Sequence, residues 1–336
     1  NKFNSNIIKN KVEKDIKKLT KKQLKEFKIP YNELVFGKPH ANFYIDNLAV
    51  NSLNNLNYKL GYYDSQDSES RIFNDVIVGE KFTIKKSTNK IKIKNEIKYL
   101  KTIPEKIKNF FPKIKSFGED WYKMETLKGI KVSYLLENDL LKLKHIDLIF
   151  KYLTQFHNYK SKDINFKKYH KNYTEKFDIR IKLIDNILTK KYYKHISEIK
   201  NKLNKYLNKQ HTQISVIHGD PIFSNMFLNN VDQIKFIDPR AGLLNEFTIF
   251  GDILYDYGKV YQSLYGYEFI LSQKKPSKNL SELRNYFEKQ FILKFGKDSL
   301  LDLKVISCSL YLTLIPLHKN KLSELFIKKS IAINKL

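Results

Sequence analysis

The sequence predicts an α+β chain of two lobes, a small β-sheet lobe with one helix and then a larger helical lobe, behind a short α/β appendage. Three observations predict it. Residues 71–86 alternate apolar and polar side chains about Gly79-Glu80, the pattern of a hairpin. From Leu140 onward apolar residues recur at helical spacing. Between the third and fourth of those helices, two short apolar runs, Ile214 to Ile217 and Ile234 to Ile237, each lead into a loop that carries an Asp.

Residues 1–60 form the appendage. Ile8, Val12, Ile16 and Leu19 share a helical face, Thr20 to Gln23 is a capping box opening a second helix through Phe27, and Pro30 ends it. Val35-Phe36 and Phe43-Tyr44-Ile45 are short strands, followed by Ser/Asn/Asp-rich linkers around Tyr58 to Tyr63. The sheet lobe spans 65–127: strands at 71–78 and 81–86, a helix at 91–100 with Ile93, Ile97 and Leu100 on one face, and a strand pair at 115–119 and 121–124. The helical lobe spans 128–336. Its helices fall at 140–158, 174–190, 195–209, 252–265, 280–295, 299–315 and 320–335, the first turning Leu143, Ile146, Ile149, Phe150, Leu153 and Phe156 inward.

With 336 residues and 42% hydrophobic content, the chain can build sizeable cores. The net charge of +27 would suit nucleic acid or an anionic membrane. Its lysines, however, are scattered over every helix, only Arg71, Arg180, Arg240 and Arg284 are arginines, and no nucleic-acid-reading module is visible. No nucleic-acid partner is expected. The longest apolar stretch, Val305 to Leu317, is too short to span a bilayer. The single cysteine, Cys308, excludes an internal disulfide framework and fits a reducing, cytoplasmic setting. No signal peptide is read, and the missing initial Met marks a processed form or a piece of a longer chain. Oligomeric state is not legible.

The two Asp-bearing loops carry the chemistry. Asp220 follows an apolar strand, Asn225 comes five residues later, and Asp238 ends the next strand. Phosphoryl transfer needs such a set: one carboxylate to hold and deprotonate the accepting hydroxyl, and an amide and a second carboxylate to hold magnesium on the phosphates. His218, two residues before the base, is a candidate for supporting the loop through backbone hydrogen bonds, with proton transfer as the other reading. A lysine should meet the phosphates from the second strand. Lys85 and Lys86 point to opposite faces, and Lys86 is preferred because it alternates with Phe82 and Ile84. Glu96, the one acid of the following helix, is its expected ion-pair partner. Ser65, Ser68 and Ser70 stand where a glycine-rich phosphate loop would, as cover or as linker. Met124, Glu125 and Leu127 lie at the exit of the sheet lobe, where backbone groups could pair with a purine. Asp252 suits a helix N-cap, and Asp252, Asp256 and Arg240 are candidates for contacting the acceptor substrate.

The run HGDPIFSN, then FIDPR, then GDILYDYGK, resembles the protein-kinase-like small-molecule phosphotransferases, the group of aminoglycoside phosphotransferases and choline or ethanolamine kinases. Together with LTLIPLHKN at 312–320 it is most similar to members associated with capsule and surface-polysaccharide gene clusters. The resemblance covers about residues 65–336. It implies a protein-kinase-like bilobal fold, ATP or GTP with Mg2+, and transfer of the γ-phosphoryl group to a hydroxyl of a small amino-alcohol, sugar or related metabolite. It assigns Asp220 as base, Asn225 and Asp238 to metal, and Lys86 with Glu96 to the nucleotide. An aminoglycoside-type antibiotic kinase and a catalytically silent nucleotide-binding module are the alternatives. Residues 1–50 resemble the back half of a haloacid-dehalogenase-type phosphatase domain, through Lys38 of FGKP and Asp46, with Asn47 where a second Asp is common. The nucleophilic Asp of such a phosphatase is absent from this sequence, which implies a remnant or the end of a longer bifunctional chain.

Overall fold

A computed structural model describes residues 16–31, 34, 74–163, 165–209, 213–242, 244, 246–318 and 320–335. The chain divides into two units, Asn1–Lys59 and Leu60–Leu336. In the first unit, 16–26 is one helix, with Thr20 in its interior rather than at a cap. Lys38, Asp46, Asn47, Ser65, Ser68 and Ser70 lie outside the described residues, and so do the phosphatase resemblance and the proposed phosphate cover that rest on them.

The second unit opens with a four-stranded antiparallel sheet. Its strands are β1 (Asn74–Val78), β2 (Phe82–Ser87), β3 (Ile114–Phe117) and β4 (Trp121–Glu125), in the order β1-β2-β4-β3. The turn at Gly79-Glu80 sets the hairpin register, pairing Val78 with Thr83 and Asp75 with Lys86. Helix α1 (Lys90–Thr102) crosses one face, N-capped by the Asn89 side chain, which accepts from the Lys92 N–H at 3.0 Å. Ile93 and Ile97 of α1 meet Tyr122 and Met124 of β4 in a small core. Burying a side chain of this size contributes about 1.5–3 kcal/mol relative to exposure.

The sheet face turned toward α1 carries Thr83, Lys85 and Ser87, all buried, whereas Phe82 is exposed, Ile84 half-buried and Lys86 exposed. The apolar set of β2 therefore faces away from the cleft. Lys123 covers it in part, with its Nζ 4.4 Å from the centre of the Phe82 ring.

Beyond β4, β5 (Ile130–Lys131) begins the larger lobe and joins β7 (Met226–Leu228) and β8 (Ile234–Phe236) in a three-stranded sheet ordered β5-β7-β8. A separate pair is formed by β6 (Ile214–Val216) and β9 (Phe250–Asp252). The principal helices are α2 (Leu143–His157), α3 (Thr174–Lys182), α4 (Tyr193–Asn208), α5 (Ile253–Leu264), α6 (Leu280–Phe295), α7 (Lys297–Leu314) and α8 (Ser323–Asn334). The expected helix at 174–190 is two pieces, because the chain turns at Leu183-Ile184 and Asp185 caps a new helix through the N–H groups of Ile187 and Leu188.

One large core joins these helices, and α7 packs against α4, α5 and α8 at its centre. Helix α5 is buried along its whole length, polar residues included. The segment Lys297–Leu317 is longer than the apolar stretch read from sequence and is long and apolar enough to cross a bilayer, but 72% of its most apolar window is buried. It is the central core helix of this lobe.

Candidate active site

Four short elements aim the site residues. Strand β6 runs into the loop 217–222, a 3₁₀ turn at Phe223–Asn225 leads into β7, and β8 ends at Asp238. The two loops are stitched together by backbone bonds: Ile237 N–H donates to Asn225 O at 3.0 Å and Arg240 N–H to His218 O at 2.8 Å. Asn225 and Asp238 are thereby neighbours, although twelve residues of hairpin separate them. Asp238 itself has φ 58°, a left-handed conformation that Asp tolerates better than most residues. Such strain persists where the surroundings enforce it.

Gly219 has φ 80°, and a Cβ there would stand 2.8 Å from Arg240 O and 2.9 Å from Arg240 Cβ. Glycine is required at this point by both conformation and space. The turn sends Asp220 outward. Its Oδ1 lies 2.9 Å from Lys259 Nζ of α5, and its main-chain carbonyl accepts from Asn225 Nδ2 at 2.9 Å. Because Nδ2 is used in this way, the Asn225 side-chain oxygen points away from the base.

The lysine of the site is Lys85, not Lys86. Lys85 Nζ lies 3.0 and 2.7 Å from the two Glu96 carboxylate oxygens and 2.8 Å from Asp238 Oδ1. Burial pulls its pKa down, but the carboxylates of Asp238 and Glu96 outweigh this and leave it raised, so the ammonium stays charged. Tyr122 O–H donates to Glu96 Oε2 at 3.0 Å and completes the cluster. Lys86 instead extends into solvent, 3.5 Å from Asp120. The alternation argument chose the wrong face because the cleft side of β2 is the polar side.

His218 is fully buried. Its Nδ1 accepts from the Asp220 N–H at 3.2 Å, so Nε2 carries the proton and donates to Ile237 O at 3.0 Å. The ring stacks on Phe111, with centroids 5.8 Å apart and planes at 2°. Burial holds its pKa below the usual value. Both ring nitrogens are engaged within the two loops, so the ring braces the turn that carries Asp220, which corrects the proton-transfer reading.

Asp256 is a second correction. Its carboxylate is buried and accepts from the N–H groups of His218, at 2.9 Å, and Gly219, at 2.7 Å, while His157 Nε2 lies 3.2 Å away. It holds the turn that carries Asp220 from behind and is fully buried. Asp252 likewise faces the core. It caps α5 through the Leu254 N–H and accepts from the hydroxyls of Tyr173 and Tyr206. Arg240 does reach the neighbourhood of Asp220, and its Nη1 donates to the Tyr255 hydroxyl at 3.4 Å.

At the exit of the sheet lobe, the Met124 side chain is part of the small core. The Glu125 N–H donates to Lys113 O at 3.0 Å, so that amide is committed within the sheet. Leu127 is half-buried just beyond.

Sequence reasoning gave no role to Lys259, which sits against the base, or to Lys176, whose Nζ donates to the Tyr255 hydroxyl at 2.6 Å. In a chain this rich in lysine, only their burial distinguishes them.

Among the described residues, no group of three or more His, Cys, Asp or Glu side chains could hold a metal ion alone. Asn225 and Asp238 offer one neutral and one anionic oxygen donor. That sparse set fits magnesium, which takes most of its ligands from water and phosphate.

No family model matches the chain, and no curated protein does. Solved structures do. An ethanolamine kinase of Plasmodium vivax is 17% identical with a TM-score of 0.51, covering 76% of this chain and 75% of its own. A choline/ethanolamine kinase family protein of Mesorhizobium loti is 10% identical with a TM-score of 0.54, over 79% of this chain and 86% of its own. The aminoglycoside phosphotransferase APH(4)-Ia is 12% identical with a TM-score of 0.53, over 78% and 90%. The chain therefore has the protein-kinase-like fold of these proteins, with a small antiparallel sheet lobe and a helical lobe.

Proposed function

We propose that this protein is a small-molecule kinase, transferring the γ-phosphoryl group of ATP or GTP to a hydroxyl. The observation that carries the reading is the Lys85–Glu96–Asp238 ion-pair cluster beside a loop presenting Asp220 and Asn225. The fold shared with choline/ethanolamine kinases and aminoglycoside phosphotransferases supports it.

In the reaction, the acceptor oxygen bonds to the γ-phosphorus as the bond to the β,γ-bridging oxygen breaks, and the nucleoside diphosphate leaves. Asp220 orients the hydroxyl and takes its proton. Lys85, fixed by Glu96, binds phosphate oxygens. Asn225 and Asp238 would hold magnesium, which supplies charge neutralisation on the phosphates. His218 and Asp256 keep the turn bearing Asp220 rigid. The exit segment at Leu127 is the proposed seat of the purine. The resemblance to capsule-locus proteins points to a role in capsule or surface-polysaccharide assembly.

The test is magnesium-dependent ADP release on a panel of alcohols and sugars, with product identified by mass spectrometry. Asp220→Ala should lower kcat by about 10²–10⁴-fold, the usual worth of a general base, and Asp238→Ala should abolish turnover. A folded, ATP-binding protein that phosphorylates nothing in such a panel would overturn the reading.

A further inference from the structure

Around Asp220 the charges are unbalanced. Lys259 pairs with the Asp220 carboxylate at 2.9 Å. Three more cations share its surroundings, and among the described residues they rest on neutral oxygens. Lys176 and Arg240 donate to the same Tyr255 hydroxyl, at 2.6 and 3.4 Å, and Arg180 Nη1 donates to the Thr313 carbonyl at 2.8 Å. These residues come from three places, α3, α5 and the loop after β8: Lys259 pairs with Asp220, Lys176 and Arg240 meet at Tyr255, and Asp220 lies within electrostatic reach of Lys176, Arg180 and Arg240. Lys176 is buried, and that burial, with the fields of Arg240, Lys259 and Arg180, holds its pKa well below the ordinary lysine value. A buried cation without a counter-charge is costly. A fold that gathers four beside one carboxylate has left room in its charge balance for an anion.

The nucleotide has its own cation. Lys85 contacts Glu96 and Asp238, whereas Lys259 contacts Asp220, and Lys176 and Arg240 meet at Tyr255. The second cluster thus belongs to the acceptor side of the base.

From this convergence of Lys176, Arg180, Arg240 and Lys259 on Asp220 we infer that the acceptor is itself an anion, a small hydroxyl compound carrying a phosphate or carboxylate close to the hydroxyl that is phosphorylated. The inference rests on the kinase reading of the site. It sets the acceptor apart from amino-alcohols and aminoglycosides, whose ammonium groups this surface would repel. Arg240 and Arg180, half-buried, grip the anionic group, and the bound anion in turn favours the charged form of Lys176.

Calorimetry on the full chain, with its nucleotide site saturated by ADP and magnesium, tests the inference with matched pairs: glucose 6-phosphate against glucose, glycerate against glycerol, and choline and kanamycin as cations. At least one anionic member should bind about tenfold or more tighter than its neutral parent, with the phosphate and carboxylate pairs separating the two kinds of anion. Lys176→Met and Arg240→Gln should each weaken that binding about tenfold or more, while a Tm at or above that of the parent chain shows Lys176→Met to be folded. Equal binding within both pairs, preference for choline or kanamycin, or loss of ATP binding in Lys176→Met would each overturn the inference. Failure of every acceptor to release ADP would instead sink the kinase reading, leaving the binding measurements to judge the cluster.

Discussion

Lys85 Nζ lies 2.8 Å from Asp238 Oδ1, tying the second strand of the sheet lobe to the end of β8 across 153 residues of sequence. The same ammonium meets both oxygens of Glu96. One buried cation therefore joins the two lobes through a carboxylate from each.

Substitution at the two adjacent lysines should separate sharply. Lys85→Met removes the cation and leaves Glu96 and Asp238 to repel each other. The expected loss in kcat/KM for ATP is about 10²-fold, the scale of a displaced phosphate-positioning group. Lys86→Met alters an exposed side chain, and its effect on stability should stay within about 0.5 kcal/mol. Steady-state kinetics on both variants decides the matter, and equal losses would contradict the assignment.

Asp256 should act on stability before it acts on substrate. Asp256→Ala strands the buried N–H groups of His218 and Gly219, each costing about 1–3 kcal/mol when unpaired. Urea denaturation should show a loss of about 3 kcal/mol or more, with kcat falling because the Asp220 turn loosens. A normal denaturation midpoint with a raised acceptor KM would return Asp256 to the substrate-contact role expected from sequence.

Glu268 gives the site region a pH dependence. It lies buried behind the loop, accepting from the Phe223 N–H at 3.1 Å and from the Ser263 hydroxyl at 2.7 Å. Burial pushes its carboxyl from 4.5 up to about 7. With the folded pKa above the unfolded one, the group's stabilising contribution is whole below about pH 4.5 and is lost as pH rises through about 7. Glu268→Gln lacks this loss. The unfolding free-energy difference between variant and parent, from urea denaturation, should grow in favour of the variant from pH 5 to pH 8, by at most about 1.4 kcal/mol per pH unit. A difference that is flat with pH would show that Glu268 does not titrate there.

What the sequence disclosed and what it hid divide along physical lines. That Asp220, Asn225 and Asp238 would be brought together was legible because their spacing and apolar flanks are local. Strand periods and most helix limits were legible for the same reason, as with α6, read at 280–295 and found at Leu280–Phe295. Lys85 was hidden because alternation fixes which residues share a face, but not which face is covered by α1 and the second lobe. Asp256 was read as a contact for the acceptor because its actual partners lie 38 and 37 residues upstream, beyond the reach of local spacing. Lys176 and Lys259 were indistinguishable from solvated lysines until burial singled them out.

Helix α5 has no solvent face, and three of its polar side chains hold the loop beside it: Asp256 the turn that bears Asp220, Lys259 the Asp220 carboxylate and Ser263 the Phe223 amide. It is therefore the stretch with least freedom to drift. In a saturation library scored for retained function, 253–264 should form a nearly unbroken block of intolerance, whereas amphipathic helices such as α4 should show tolerance every third or fourth position. Evolution toward a new acceptor would have to work from α3 and the loop after β8, leaving that inner axle untouched.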